Sequence, residues 1–417
     1  MSIDKFAIRV NGALGILFLG VFALLSYSVF QFGDAYNFEM GGGLTSNKLF
    51  MLVASSALAV GSLGWGLCSH AFRTRNWVTN VNLILISALV FSPLLGEIFL
   101  RLGIGANISY LRNPELYADA YSEDDYWKLE LLWSGRSPQL GDPLLGWSDS
   151  SSVQPISVKK ADVQRAPLLF FGDSFVAGSE ETVPYYLDRL LSTHDVYNYG
   201  ISGYGVDQIY LRFKEEHSTF ASPTVLFGIL TLDLDRSILG FRSMPKPRFI
   251  IKDDQLELTN VPIPAIPARA WVEAHPPEIR SYYFSLLFRL MDLVGANLDD
   301  KIVNNKLEEK QALNREILAA ALREATEHDI GLVFVLFYSP LEIHTLGWRE
   351  RFLKETLEDL GAPYIDSKAF VLASVQETGG KVSEYYNETE HHNTRANEVI
   401  AEGIARELGR RFSSSSP

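Results

Sequence analysis

The stretch Leu168-Leu169-Phe170-Phe171-Gly172-Asp173-Ser174-Phe175 reads as a short buried strand that runs directly into a turn. Four large apolar residues in a row, with no alternation, suit a strand covered on both faces. Glycine followed by Asp-Ser suits a sharp exit from it. Working outward, the run begins at Pro167, and comparable runs stand at Val196–Ile201, Thr224–Leu230, Leu332–Phe337 and Tyr364–Ile365. Helical patterns lie between them, clearest over Lys306–Glu327 and Ala396–Phe412. In the latter, Ala396, Ile400, Ile404, Leu408 and Phe412 repeat every four residues and form one apolar stripe. Strands alternating with helices predict an α/β domain whose parallel sheet carries helices on both faces. One segment departs from this rhythm. Arg248–Ile251 and Leu256–Leu258, flanking Asp253-Asp254, read as a β-hairpin, followed by the Pro-rich Val261–Pro267 and a helix-like Tyr282–Leu293. Together they predict an insertion at about 240–300 that covers the strand ends.

Ligands of open α/β sheets bind at the carboxyl ends of the strands, where a following helix directs its positive end. Ser174 stands at that position after the first strand, with Gly172 for a tight turn and Asp173 as a helix cap. The spacing is not that of the nucleophile elbow, because Val176 stands where that motif has its second glycine. After the second strand comes Asn198-Tyr199-Gly200-Ile201-Ser202-Gly203-Tyr204-Gly205, whose glycines allow a backbone N–H to approach a developing oxyanion. Near the C-terminus, Glu388-Thr389-Glu390-His391-His392-Asn393 opens the last helix. A serine nucleophile needs a histidine to take its proton and a group to orient that histidine, and His391 with Glu388 can supply both from one loop. Two adjacent histidines near acids also invite a metal, but no third His or Cys lies nearby, so neither a metal nor a cofactor is expected. His70, His194, His217, His275, His328 and His344 stand in loops or helix ends without a matching carboxylate motif, and surface roles are expected for them.

The first hundred residues are different in kind. Three charge-free apolar stretches of spanning length run from about Gly12 to Phe32, from Leu49 to about Gly66 or Cys68 and from about Val78 to Gly96. Lys5 and Arg9 precede the first, Arg73 and Arg75 separate the second and third, and Asp34, Glu39 and Lys48 lie between the first two. The positive-inside rule then puts the N-terminus in the cytoplasm and the chain beyond the third span outside it. The expected organisation is a membrane domain of three transmembrane helices over 1–103, a polar lead-in over 104–163 and a catalytic domain over 164–417. Of the formal net charge of −13 over 417 residues, residues 1–103 contribute +2 from six bases and four acids, leaving −15 beyond. So acidic a domain lacks the clustered Lys and Arg that phosphate contacts require, which excludes nucleic acid. The single cysteine, Cys68, excludes an intramolecular disulfide.

These motifs, in this order, resemble the SGNH (GDSL) hydrolase superfamily over about 165–412. The resemblance implies a flavodoxin-like sheet, Ser174 as nucleophile, Gly203 and Ser174 as backbone oxyanion donors and His391 as base. His391-x-Asn393 resembles the family's His-Pro-Asn, which favours His391 over His392. Glu388 stands where the family has aspartate. The third-strand motif departs further: in Leu230-Thr231-Leu232-Asp233, Leu232 occupies the place of the usual asparagine, so a side-chain oxyanion donor is missing. Loss of one such donor typically costs about 2.7–4 kcal/mol. Thr231 is expected to offer its hydroxyl instead, and Asp173, Asp233, His392 and Asn393 are expected to line the site. Asp142-Pro143-Leu144-Leu145-Gly146-Trp147 resembles the lead-in of members tethered outside the cytoplasmic membrane of bacteria, periplasmic in Gram-negative cells.

The implied function is a membrane-anchored serine esterase that cleaves acyl esters, acetyl above all, on cell-envelope carbohydrate. Its partners are then the acyl-ester substrate and the lipid bilayer. Two other readings stand beside it. One is an O-acyltransferase that passes the acyl group to a polysaccharide hydroxyl, which requires a membrane acyl-donor or polysaccharide-export partner. The other is a non-catalytic domain for glycan binding or assembly, motivated by Leu232.

Overall fold

A computed structural model describes residues 76–135, 141–148, 165–221, 223–295 and 306–414. In chain order the helices are α1 (Asn76–Gly105), α2 (Asp124–Ser134), α3 (Val183–Leu190), α4 (Val206–Glu216), α5 (Asp233–Arg236), α6 (Ala268–Ala274), α7 (Tyr282–Gly295), α8 (Leu307–Glu327), α9 (Pro340–Ile343), α10 (Trp348–Asp359), α11 (Ser367–Thr378) and α12 (Thr394–Ser414). The strands are β1 (Ala166–Gly172), β2 (His194–Gly200), β3 (Thr224–Leu230), β4 (Phe241–Arg242), β5 (Met244–Pro245), β6 (Arg248–Lys252), β7 (Gln255–Thr259), β8 (Gly331–Phe337) and β9 (Tyr364–Asp366).

The chain divides into two compact units. One takes the residues up to Asp119 together with Glu278–Asn304, and the other takes Ala120–Pro277 and Asn305 onward. The divisions therefore fall elsewhere than the 103/104 and 163/164 boundaries read from the sequence. Packing within the first unit explains the shift: Tyr117 is buried, donates to the Leu111 carbonyl and meets the Tyr282 ring edge-on at 4.9 Å. The predicted insertion is likewise divided, its hairpin β6–β7 and helix α6 belonging to the second unit and α7 to the first.

In the first unit α7 lies against α1 at Gly96, where an added Cβ would stand 2.4 Å from the Tyr283 ring. Glu97 pairs with Arg101 at 2.6 Å and accepts from Ser281 Oγ and Tyr283 N at 2.8 and 2.9 Å. Of the three predicted membrane spans, the first two lie outside the described residues and the third falls on α1. That helix holds Pro93, Glu97 and Arg101, and among the described residues no helix is long and apolar enough to cross a membrane.

In the second unit, β2, β1, β3, β8 and β9 form one parallel sheet in that order. This is the doubly wound flavodoxin-like order, with the reversal between β1 and β3. All five strands fall on the apolar runs expected of them. Helices α3, α11 and α12 pack together, and α8 packs with α4 and α10, giving the two helical layers. Phe170, Phe171, Phe227, Phe334 and Phe337 are fully buried between them. The stripe on α12 is buried at Ala396, Ile400, Ile404 and Leu408, as its spacing requires.

Candidate active site

Ser174 sits in the turn that leaves β1 beside the β1/β3 switch point. The turn is tight because Val176 folds back over three strand glycines. An added Cβ would stand 2.4 Å from Val176 Cγ2 at Gly172, 2.8 Å from Val176 Cβ at Gly200 and 2.9 Å from Val176 Cγ2 at Gly228. Any side chain at these positions would displace the turn and the serine with it. No helix follows at once. The Asp173 carbonyl accepts from Val176 N and Ala177 N, closing a single turn, and α3 starts only at Val183, capped by Thr182. Asp173 is therefore not the helix cap that its sequence position suggests.

Ser174 Oγ lies 2.9 Å from His391 Nε2. The other ring nitrogen, Nδ1, is 2.8 Å from the Thr389 carbonyl oxygen and 3.1 Å from Thr389 Oγ1. A carbonyl oxygen only accepts, so Nδ1 carries the proton and Nε2 is left to accept from the serine hydroxyl. The loop is held by Asn387, whose Oδ1 accepts from Thr389 N, Thr389 Oγ1 and His391 N at 2.9, 2.8 and 3.1 Å. Asn393 closes its far end, accepting from Ala396 N at the start of α12 and donating to the Glu384 carbonyl. Glu388 is exposed and makes no hydrogen bond to His391. Between Asn387 and the left-handed Glu390 (φ 61°) the chain turns the Thr389 carbonyl inward and leaves Glu388 outside. The orienting carboxylate expected from the sequence is thus replaced by a main-chain carbonyl.

His392 has a different environment. It is 7% exposed and lies among Phe175, Phe337 and Tyr386, with ring centroids at 4.6, 5.9 and 5.1 Å. Burial, and then the neighbouring His391, push its pKa down to about 3. A neutral ring in a nearly closed apolar pocket is a packing element rather than a base.

Beneath the serine lies a buried charged group. Asp173 Oδ1 accepts from Phe175 N at 2.9 Å, and its Oδ2 accepts from Arg236 Nη1 at 2.9 Å. The same Nη1 bonds Asp233 Oδ1 and, at 3.0 Å, the Tyr204 carbonyl. Asp233 Oδ2 accepts from Leu230 N at 3.0 Å. Burial and the nearby Asp173 hold the Asp233 carboxyl well above the usual range, while Arg236 opposes them. Asp233 therefore supports the floor of the site and does not line it, whereas Asp173, also buried, reaches the nucleophile itself, its Oδ2 lying 3.3 Å from Ser174 Oγ. Thr231 is also withdrawn: it is fully buried, and its hydroxyl donates to Glu342 Oε2. It does not stand in for the missing asparagine, because a hydroxyl whose proton is already given to a carboxylate has none for an oxyanion.

The oxyanion side rests on main chain. Gly203 adopts φ 86°, and the N–H groups of Ser174 and Gly203 have no hydrogen-bond partner among the described residues. Arg242 Nη1 donates to the Gly203 carbonyl at 2.7 Å, and an added Cβ at Gly203 would stand 2.2 Å from that nitrogen. Burial and then Arg236 lower the Arg242 pKa to about 9. Trp147 Nε1 donates to the Ser202 carbonyl at 3.0 Å and Tyr204 OH to the Trp147 carbonyl, so the lead-in motif braces the oxyanion loop. Arg236, Arg242 and Trp147 are absent from the residues assigned to the site by sequence. The available signal was Arg236 three residues after Asp233 in an otherwise acidic domain.

An open cavity of about 400 Å³ stands over Ser174 and His391, bounded by Glu180, Glu181, Asn387, Asn393 and Thr394 among others. With a poised serine hydroxyl, an accepting imidazole and two free N–H groups, the site is equipped for acyl transfer through a tetrahedral intermediate.

No protein-family model matches the chain, and no curated protein matches it. Among solved structures it is similar to a member of the lipolytic protein G-D-S-L family from Veillonella parvula DSM 2008, with 12% identity and a TM-score of 0.35 over 59% of this chain and 99% of that one. It is also similar to an acetylxylan esterase from Geobacillus stearothermophilus, with 17% identity and a TM-score of 0.34 over 58% and 94%. A psychrotrophic esterase, EstA, from Pseudoalteromonas sp. matches at 14% identity and a TM-score of 0.33 over 59% and 98%.

Proposed function

We propose that this chain is a serine ester hydrolase of the SGNH type, tethered to the cytoplasmic membrane and acting outside it on acyl esters of carbohydrate. The observation that carries the chemistry is the 2.9 Å approach of His391 Nε2 to Ser174 Oγ, with Nδ1–H committed to the Thr389 carbonyl. Ser174 attacks the ester carbonyl as Nε2 takes its proton. The imidazolium is steadied by Thr389, and the Ser174 and Gly203 N–H groups hold the oxyanion. The proton then passes to the leaving alcohol, and water, deprotonated by the same nitrogen, releases the acyl group from Ser174. A carbohydrate ester is favoured over a lipid by the carboxylates and amides that bound the cavity. Support for the tether comes from the three apolar stretches and from exposed Leu94, Leu95, Phe99 and Leu102 on α1 and Phe288 on α7 within the first unit.

The test is labelling of the full chain by a fluorophosphonate, with Ser174→Ala as control, followed by release of acetate from acetylated oligosaccharides. Labelling of the parent alone is expected. A folded parent that neither labels nor hydrolyses any ester would overturn the proposal. Transfer of the acetyl group to an added oligosaccharide in preference to water would convert the reading to an O-acyltransferase.

A further inference from the structure

Away from Ser174, packing of α4 against α8 brings together three side chains that the sequence leaves far apart. His217 follows α4 in the helical turn His217–Thr219, while Glu324 and His328 stand four residues apart at the end of α8. His217 Nε2 is 3.1 Å from Glu324 Oε1, and His328 Nε2 is 3.2 Å from the same oxygen. The two rings are 4.6 Å apart, and the three ligand atoms all lie within 4.8 Å of one another.

We propose that His217, Glu324 and His328 form a binding site for a divalent transition metal of the zinc class, with solvent completing its coordination. Ligand atoms about 2.0–2.1 Å from one tetrahedral ion lie roughly 3.3 Å from each other. Two of the three separations already have nearly that value. Two imidazoles and one carboxylate suit zinc, cobalt, nickel or copper rather than magnesium or calcium, which take oxygen ligands. Without a metal, both imidazoles must direct an N–H at a single carboxylate oxygen. A metal replaces those two protons and uses all three lone pairs at once. The His217 side chain is 5% exposed and the His328 side chain 50% exposed, so the site is anchored on one side and open to an entering ion on the other.

The experiment uses the full chain, freed of any affinity tag and stripped of metal, titrated with zinc chloride by calorimetry and with cobalt(II) by visible absorption. One equivalent of zinc is expected to bind, and cobalt is expected to show the intense visible bands of a four- or five-coordinate ion. His328→Ala, at an exposed position, should weaken zinc binding by more than the ~10–100-fold that loss of an outer-shell partner costs. Glu324→Gln should do the same, and His391→Ala should leave the affinity unchanged. Zinc affinity equal in the parent and both cluster variants, or a cobalt spectrum of the hydrated ion, would overturn the site.

Discussion

On one side of Ser174 stands the loop from Tyr386 to Asn393, exposed at Asn387, Glu388, Thr389 and Glu390 and ordered by bonds between residues two to four apart. On the other side the carboxylates of Asp173 and Asp233 are shut away from water beside the largely buried Arg236, and the Asp173–Arg236 pair joins positions 63 residues apart. The loop aims a base, and each of its bonds is exchanged with water when broken. The buried group sets the floor under the nucleophile, and there a lost partner leaves a charge with no water to replace it. Substitutions on the two sides should therefore differ in kind. Those in the buried group should lower stability, and those in the loop should lower turnover.

The largest effect is expected from Arg236→Ala. Removing the guanidinium leaves two buried carboxylates facing each other and should cost about 3–5 kcal/mol in urea unfolding. A loss below about 1 kcal/mol would place the two sides on the same footing.

His392 gives the next effect through pH. Its folded pKa of about 3 lies below the roughly 6.5 of an unfolded histidine, so between these values the unfolded chain binds a proton that the folded one does not. Stability is then lost as pH falls through that window, by roughly 1.4 kcal/mol per unit from this group. Unfolding free energies of the parent and His392→Gln, compared across the window, should diverge by that slope. Parallel curves would show that the ring is not held neutral.

Asn387→Ala tests the loop itself. Loss of its three accepted bonds should cost only about 1–2 kcal/mol of stability, because the loop is wet, yet lower kcat by about 10–100-fold as His391 drifts from Ser174. Equal losses in kcat and in stability would erase the contrast drawn between loop and floor.

The smallest effect is expected from Glu388→Gln. An orienting carboxylate changed to its amide costs on the order of 10⁴ in kcat. With the Thr389 carbonyl in that role, the change in kcat/KM should stay under about 3-fold. A loss of several orders of magnitude would return the orienting role to Glu388.

Much of this protein was legible in its sequence because the information was local. Short apolar runs marked all five strands of the parallel sheet, and the four-residue repeat from Ala396 marked the buried face of α12. Ser174 and His391 stood out as residue types at strand and helix ends where such chemistry is placed. What only the tertiary structure decided concerns partners distant in sequence and the direction in which a backbone turns. Glu388 had the right chemistry at the right spacing, but the turn between Asn387 and Glu390 presents a carbonyl to His391 instead. Thr231 had a free hydroxyl on paper, and folding gave its proton to Glu342. Arg236 and Arg242 entered the site because buried carboxylates and an inward carbonyl need donors, and His217 met Glu324 and His328 because α4 packs on α8. Periodicity records which residues must leave water; it does not record which polar group, a hundred residues away, will replace that water.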